Sequence, residues 1–78
     1  MVRAFVLVKT ETAPGEAAGV VESVRGKSAV REAHVVAGEY DIVVEALAGE
    51  VYDIIDGVAT GLRSVSGVAD TRTYICLE

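Results

Sequence analysis

The chain has 78 residues and a net charge of −5, with seven lysines and arginines against twelve aspartates and glutamates. Its basic residues are scattered, so the sequence has no positive patch for nucleic-acid phosphates or for an anionic membrane. The one cysteine, Cys76, excludes an intrachain disulfide, and no Cys/His cluster or phosphate-binding glycine loop predicts a metal or a cofactor.

A single domain is expected over residues 1–78, and its first predicted element is a strand at 2–10, "VRAFVLVKT". No apolar run approaches the ~20 residues of a membrane-spanning helix. The first run is also too short for a signal peptide's apolar core plus cleavage site, so a cytoplasmic location is expected.

A helix is predicted next. "ETAPGE" turns the chain, and Thr12 or a neighbour can cap the helix, with Pro14 near its first turn. Gly26 is typical of the residue that follows the C-terminal end of a helix. The apolar residues between them recur with the spacing of one helix face, at Ala17, Val20, Val21 and Val24.

Two strands, 29–37 and 40–48, are predicted to form a hairpin through Gly38-Glu39, and Gly38 suits a type II′ turn that needs positive φ. A second helix is predicted over 49–65, where Gly57 and Gly61 either weaken it slightly or allow close packing. The last strand is predicted over 69–78. The β-α-β-β-α-β order predicts an α+β, ferredoxin-like fold: a four-stranded antiparallel sheet with two helices on one face.

The strand patterns predict that both faces of this sheet are apolar. Alternation assigns one face to Ala4, Val6, Val8, Ala33, Val35, Ile42, Val44 and Ala46. The other face receives Phe5, Leu7, His34, Val36, Val43, Leu47, Tyr74 and Cys76. Two helices cover only one face, and so small a core is weak by itself, so at least a homodimer is expected. The alternative is a loose monomer with some exposed valine.

Three segments carry a family resemblance: "AFVLVK", "VREAHVVAGEYDIVVEALA" and "LRSVSGVADTRTYICL". Their most specific parts are the G-x-Y-D hairpin and the "GV-x-x-T-x-T" entry to the last strand. In this order the chain resembles the effector-binding (RAM) domain of Lrp/AsnC transcriptional regulators.

The resemblance implies dimerisation through the sheets in a dimeric α/β-barrel type of association, and assembly into octameric or decameric rings. It also implies a small effector, usually an amino acid, bound between dimers, with no cofactor. The chain begins at strand one with its own methionine, so it resembles the stand-alone form without the helix-turn-helix domain. Direct DNA binding is then not implied, but joining rings with full-length regulators is.

The resemblance places the effector against two groups of residues, which are Gly38, Glu39, Tyr40 and Asp41 in the hairpin and Thr71, Arg72 and Thr73 in the last strand. Asp41 can accept hydrogen bonds from nearby backbone N–H groups or receive a ligand's ammonium group. Free hairpin N–H groups can hold a ligand carboxylate, and Gly38 lets a ligand approach the backbone. Both groups also have ordinary structural interpretations, as a turn and as strand residues.

No catalytic set can be assembled from the sequence. His34 is expected to be a structural or interface residue, and Cys76 a small hydrophobe. The leading hypothesis is a non-enzymatic amino-acid sensor and oligomerisation module. The alternatives are a purely structural ring-former, or a small dimeric α+β barrel enzyme of monooxygenase or isomerase type. The enzyme would need a pocket inside each protomer, lined by His34 or Tyr74.

Overall fold

A computed structural model describes residues 1–11 and 17–77, so the predicted helix cap at Thr12 and Pro14 lies outside the described residues. The strands are β1 (Val2–Thr10), β2 (Val30–Val35), β3 (Ile42–Ala48) and β4 (Val68–Ile75), and the first helix is α1 (Ala17–Arg25). The sheet has the order β2-β3-β1-β4, and all neighbouring strands are antiparallel. The predicted βαββαβ fold is confirmed.

The second helix, α2, covers residues 51–63 and changes its hydrogen bonding along its length. It is α-helical at Val51–Asp53, π-helical at Ile54–Thr60 and α-helical again at Gly61–Arg63. Gly57 and Gly61 do not serve close packing, because a Cβ at either position would have no neighbour within 4 Å. The second helix was predicted, but its π-helical middle was not.

The core lies between one sheet face and the two helices. Both central strands, β1 and β3, bury every second residue there, which confirms the predicted facing. The helix residues packed against them are Val20, Val21, Val24, Ile54, Val58 and Leu62. Val35 differs from its expected burial. It lies opposite Ile42, on the core side, but is 51% exposed because it ends the edge strand β2.

The β2–β3 connection is longer than predicted, and the type II′ turn is wrong. Residues 37–41 form bends, and a hydrogen bond from the Val36 N–H to the Asp41 carbonyl oxygen, at 2.8 Å, closes the loop. Among the described residues, Gly67 alone has a positive φ, at 94°, so Gly38 does not. The loop is wide because the side chain of Asp41 is bonded to Thr10, on the next strand, instead of closing a tight turn.

The opposite sheet face, called here the uncovered face, has no helix over it. It contains Phe5, Leu7, Val43 and Leu47 on the central strands and Tyr74 on β4. Phe5 is 39% exposed and Tyr74 is 59% exposed, while the other three are half-buried by their neighbours. The predicted second apolar face is therefore present. Within the described residues, no helix is long and apolar enough to cross a membrane.

Candidate functional site

The two predicted groups of site residues lie at the same end of the sheet. Strand β1 runs between β3 and β4, and its residue Val8 is opposite Ile42 on one side and Thr71 on the other. Asp41, the last residue of the hairpin, is next to Ile42. The start of β4 lies two strand spacings from β3, a distance of about 10 Å. Within one chain, the hairpin group and the β4 group therefore lie at the same end of the sheet, but strand β1 separates them.

The hairpin is tied to the end of β1 through Asp41. Its Oδ2 accepts hydrogen bonds from the Thr10 N–H at 2.8 Å and from the Thr10 hydroxyl at 2.9 Å. The Asp41 N–H donates to the Val8 carbonyl oxygen at 2.9 Å. The Lys9 ammonium donates to the Glu39 carbonyl oxygen at 3.0 Å. Asp41 therefore connects the hairpin to the neighbouring strand β1. These bonds use its Oδ2 and do not involve its Oδ1.

The same contacts hold a negative charge at the hairpin. Hydrogen bonds from the Thr10 backbone and then from its hydroxyl lower the pKa of Asp41 below its usual range, with a further contribution from the Lys9 charge. Partial burial acts in the opposite direction and is outweighed. At neutral pH the loop therefore presents a fixed carboxylate beside exposed backbone.

Replacing Asp41 with asparagine is expected to remove an acid-sensitive part of the stability. Because the pKa is lowered by folding, the carboxylate stabilises the protein above its unfolded pKa of about 3.9 and loses this effect as pH falls through the folded pKa. The difference in unfolding free energy between wild type and D41N should be about 1–3 kcal/mol at pH 7 and should shrink toward pH 2–3. Urea unfolding at both pH values measures it, and a difference independent of pH would contradict the role of the charge.

The predicted residues of β4 do not share one surface. Thr71 is buried on the core side, where its hydroxyl accepts a hydrogen bond from the Arg63 Nε at 3.3 Å. Thr73 is half-buried opposite Val6, on the same side. Arg72 is exposed opposite Leu7, on the uncovered face, with its Nε 3.7 Å from the Asp70 carboxylate. Arg72 and the threonines therefore point to opposite sides of the sheet.

Three residues with a part in the site were missed from the sequence: Lys9, Thr10 and Arg63. Each one acts through a tertiary contact whose partner is determined by strand register or helix docking. Glu39 and Gly38 are exposed as expected, and Tyr40 is half-buried. A Cβ at Gly38 would meet only the Tyr40 carbonyl oxygen, at 4.0 Å, so folding alone does not require glycine there.

The residues considered for an internal enzyme pocket lie elsewhere. His34 is exposed and pairs with Glu32 at 3.2 Å, and Tyr74 projects from the uncovered face. The space between the sheet and the helices, where an internal pocket would lie, is filled by core side chains. An open groove of about 570 Å³ lies at the other end of the sheet, and another of about 360 Å³ runs along β2. Neither includes the hairpin or the start of β4.

The family is decided by comparison with known proteins. A family model described as the Lrp/AsnC ligand binding domain matches residues 3–78. The chain belongs to the Lrp/AsnC family. A search of curated proteins gave no match.

Several solved structures resemble this Lrp/AsnC domain along its whole length. A protein of Thermus thermophilus has a TM-score of 0.89 and 28% identity, covering 100% of this chain and 95% of its own. A hypothetical protein of Pyrococcus horikoshii has a TM-score of 0.85 and 32% identity, covering 100% and 92%. The protein FFRP-DM1 has a TM-score of 0.86 and 32% identity, covering 99% and 100%.

Longer regulators contain the same fold. Escherichia coli AsnC has a TM-score of 0.79 at 16% identity, and the match covers 99% of this chain but 51% of AsnC. This Lrp/AsnC domain thus spans about half the length of that regulator, and the likeness at this identity shows the fold.

Proposed function

We propose that this Lrp/AsnC domain is an amino-acid sensor and oligomerisation module that serves transcription regulation of amino-acid metabolism. The observation that carries the proposal is the Asp41 carboxylate, held charged at an exposed hairpin by two bonds from Thr10. The ammonium group of an amino acid needs an anion, and its carboxylate needs N–H donors. The hairpin offers both within a few residues.

Solved relatives give independent support for the ligand class. Structures of a Neisseria meningitidis transcriptional regulator and of a Mycobacterium tuberculosis feast or famine regulatory protein contain L-methionine. They share 22% and 24% identity with this chain, so they support an amino-acid ligand for the fold, and leave the choice of amino acid open.

The site is completed by a neighbouring dimer in this proposal. The hairpin residues Gly38, Glu39, Tyr40 and Asp41 supply the first wall. Thr71 and Thr73 of β4 supply the second, without Arg72, which points to the opposite side of the sheet. The grooves of about 570 Å³ and 360 Å³ lie away from the hairpin, which supports a pocket closed by another copy. The dimers themselves form by stacking of the uncovered face, and further association gives octameric or decameric rings.

Amino-acid binding is expected to raise both thermal stability and particle mass. A ligand that binds only the folded, assembled protein at 100 times its Kd adds about 2.7 kcal/mol of stability. The measurement is a thermal-shift screen of the twenty amino acids, with light scattering on every hit. No shift across the panel, together with an unchanged dimer mass, would contradict the sensor.

Replacing Gly38 with alanine is expected to weaken binding of the amino acid found in that screen, because the added methyl blocks close approach to the hairpin backbone. Stability should change by less than about 0.5 kcal/mol, because the site is open. Gly49→Ala is the matched control: it is also exposed, and its nearest atom beyond its chain neighbours is Asp53 Oδ2 at 4.0 Å. Equal affinities of both variants and wild type, from calorimetric titration, would place the ligand elsewhere.

Co-assembly with full-length Lrp/AsnC regulators is part of the proposal. Mixed rings would let this domain tune a DNA-binding partner without contacting DNA itself. Mixing the purified chain with a full-length regulator from the same source and separating by size tests this step, and elution of two unmixed species would count against it.

A further inference from the structure

We propose that Arg63 binds the side chain of the effector, and that the effector is therefore an amino acid with an anionic side chain, glutamate or aspartate. The inference rests on the proposed amino-acid sensor and names the class of amino acid that it binds. It places the cation of the second wall on α2 rather than at Arg72.

Arg63 is the last residue of α2 and reaches the second wall from the helix layer. Its Nε donates a hydrogen bond to the Thr71 hydroxyl at 3.3 Å. Thr71 is opposite Val8, at the same end of the sheet as the hairpin. Because Nε and both Nη atoms belong to one planar guanidinium, the Nη atoms also lie beside this threonine. The one arginine of β4, Arg72, points to the opposite side of the sheet.

A second arginine shows how a guanidinium with a structural role is bonded in this fold. Arg25 ends α1 as Arg63 ends α2, and each bonds to a residue 8 positions further along the chain. Arg25 uses all of its nitrogens: Nε and Nη2 donate to the Ala33 carbonyl oxygen at 3.2 and 2.8 Å, and Nη1 donates to Glu22 at 2.7 Å. Within the described residues, Arg63 uses Nε alone and forms no ion pair. The donors on both of its Nη atoms are therefore available to a ligand.

The second wall presents hydrogen-bond donors and a positive charge. The Thr71 hydroxyl accepts the bond from Arg63 and can still donate its own O–H. Thr73 is half-buried on the same side of the sheet and adds a second hydroxyl. A side chain that contacts this wall must accept hydrogen bonds. A carboxylate does so best, because it matches a guanidinium in both charge and geometry.

The two walls divide the functional groups of the effector between them. The α-ammonium and α-carboxylate groups share one carbon, and the hairpin offers the Asp41 carboxylate and backbone N–H groups within a few residues. The side chain then extends toward the second wall, on the neighbouring dimer. An apolar side chain would leave the Arg63 guanidinium desolvated and unpaired, and a lysine or arginine side chain would be repelled by it. Arg63 thus selects against both classes.

Calorimetric titration of the whole chain at fixed pH and ionic strength tests this selection. The probes are glutamate, aspartate and their uncharged amides, glutamine and asparagine. We expect one of the acids to bind at least about tenfold more tightly than its amide, because hydrogen bonds between charged groups are the stronger ones. Arg63→Gln should lower the affinity for that acid about ten- to a hundredfold and remove the preference.

Arg31→Gln is the matched control for Arg63→Gln. Arg31 is also exposed and forms no ion pair within the described residues, but it lies on β2 toward the other end of the sheet, beside the position opposite Ala46. The variant removes the same charge from the chain, and we expect it to keep the affinities of wild type. Circular dichroism verifies that both variants are folded.

The outcomes separate this inference from the proposed function. A folded Arg63→Gln variant that binds the acid as tightly as wild type would overturn the inference while the sensor stands, and so would a lower ligand-free particle mass, because Arg63 would then join the dimers directly. A wild type that binds acid and amide equally, or binds only apolar or basic amino acids, would overturn it without any variant. If none of the twenty amino acids binds, both the inference and the proposed function fail.

Discussion

Replacing Leu7 with glutamate is expected to convert the associated protein into a folded monomer. Leu7 lies at the centre of the uncovered face, opposite Val43 on one side and Arg72 on the other. In the proposed dimer it is buried, and in the monomer it is half-buried. A carboxylate at this position would be desolvated mainly by association, so most of the cost falls on the dimer and a smaller part on the fold.

The effect on association should be large because symmetry repeats it. Leu7 is already half-buried in the monomer, so association buries only the rest of it, worth about 1 kcal/mol, and each dimer contains two. About 2 kcal/mol corresponds to roughly thirtyfold in Kd, before the cost of burying the new carboxylates. Sedimentation velocity of L7E against wild type over a dilution series measures this change.

Ile55→Glu is the matched control for L7E. Ile55 is also an exposed apolar residue, at 53%, but it lies on α2 in the helix layer, away from the uncovered face. We expect I55E to keep the mass of wild type. If L7E retains that mass as well, the uncovered face is not the interface.

Replacing Gly67 with alanine is expected to unfold a large share of the molecules. Gly67 has a φ of 94°, and an added Cβ would lie 2.8 Å from Val20 Cγ2, which belongs to the core. Its carbonyl oxygen also accepts the Glu11 N–H at 2.9 Å, so the turn before β4 is connected to the end of β1. The backbone has little freedom to relax the clash.

The size of the Gly67 effect follows from two costs. A left-handed backbone at a non-glycine residue costs about 1–3 kcal/mol, and overpacking a core costs about 1–3 kcal/mol more. Their sum is comparable to the whole stability of a domain this small, about 3–5 kcal/mol. Urea unfolding of G67A, in the presence and absence of the amino-acid ligand, provides the measurement.

Gly19→Ala is the control for G67A. Gly19 lies in α1, and a Cβ there would have no neighbour within 4 Å. We expect alanine to stabilise this helix by about 0.5–1 kcal/mol. A G67A protein as stable as G19A would show that the turn before β4 tolerates a side chain and that its φ is not required.

Most of the fold could be predicted because apolar spacing determines it. Strand β1 was predicted at its observed bounds, and α1 was recognised from residues that are all buried: Ala17, Val20, Val21 and Val24. The π-helical middle of α2 has the same apolar spacing as an α-helix, so spacing did not distinguish the two. The positive φ of Gly67 was also missed, since any glycine near a predicted turn has the same signature.

The site was less predictable because it depends on contacts between strands. Asp41 was singled out as unusual at a strand entry, but its partner Thr10 is 31 residues away and becomes visible only through the β1–β3 register. Arg72 was grouped with Thr71 and Thr73 by the resemblance. Strand alternation alone assigns it to the same face as Tyr74, and the structure follows that alternation.

Sedimentation equilibrium of the wild-type chain, from micromolar to millimolar concentration, tests the central claim most directly. We expect a particle of at least twice the 8.1 kDa chain mass across this range, since the uncovered face needs a partner copy. A folded particle that keeps the mass of one chain at millimolar concentration would contradict the account, because neither the stacked sheets nor the effector site between dimers could then form.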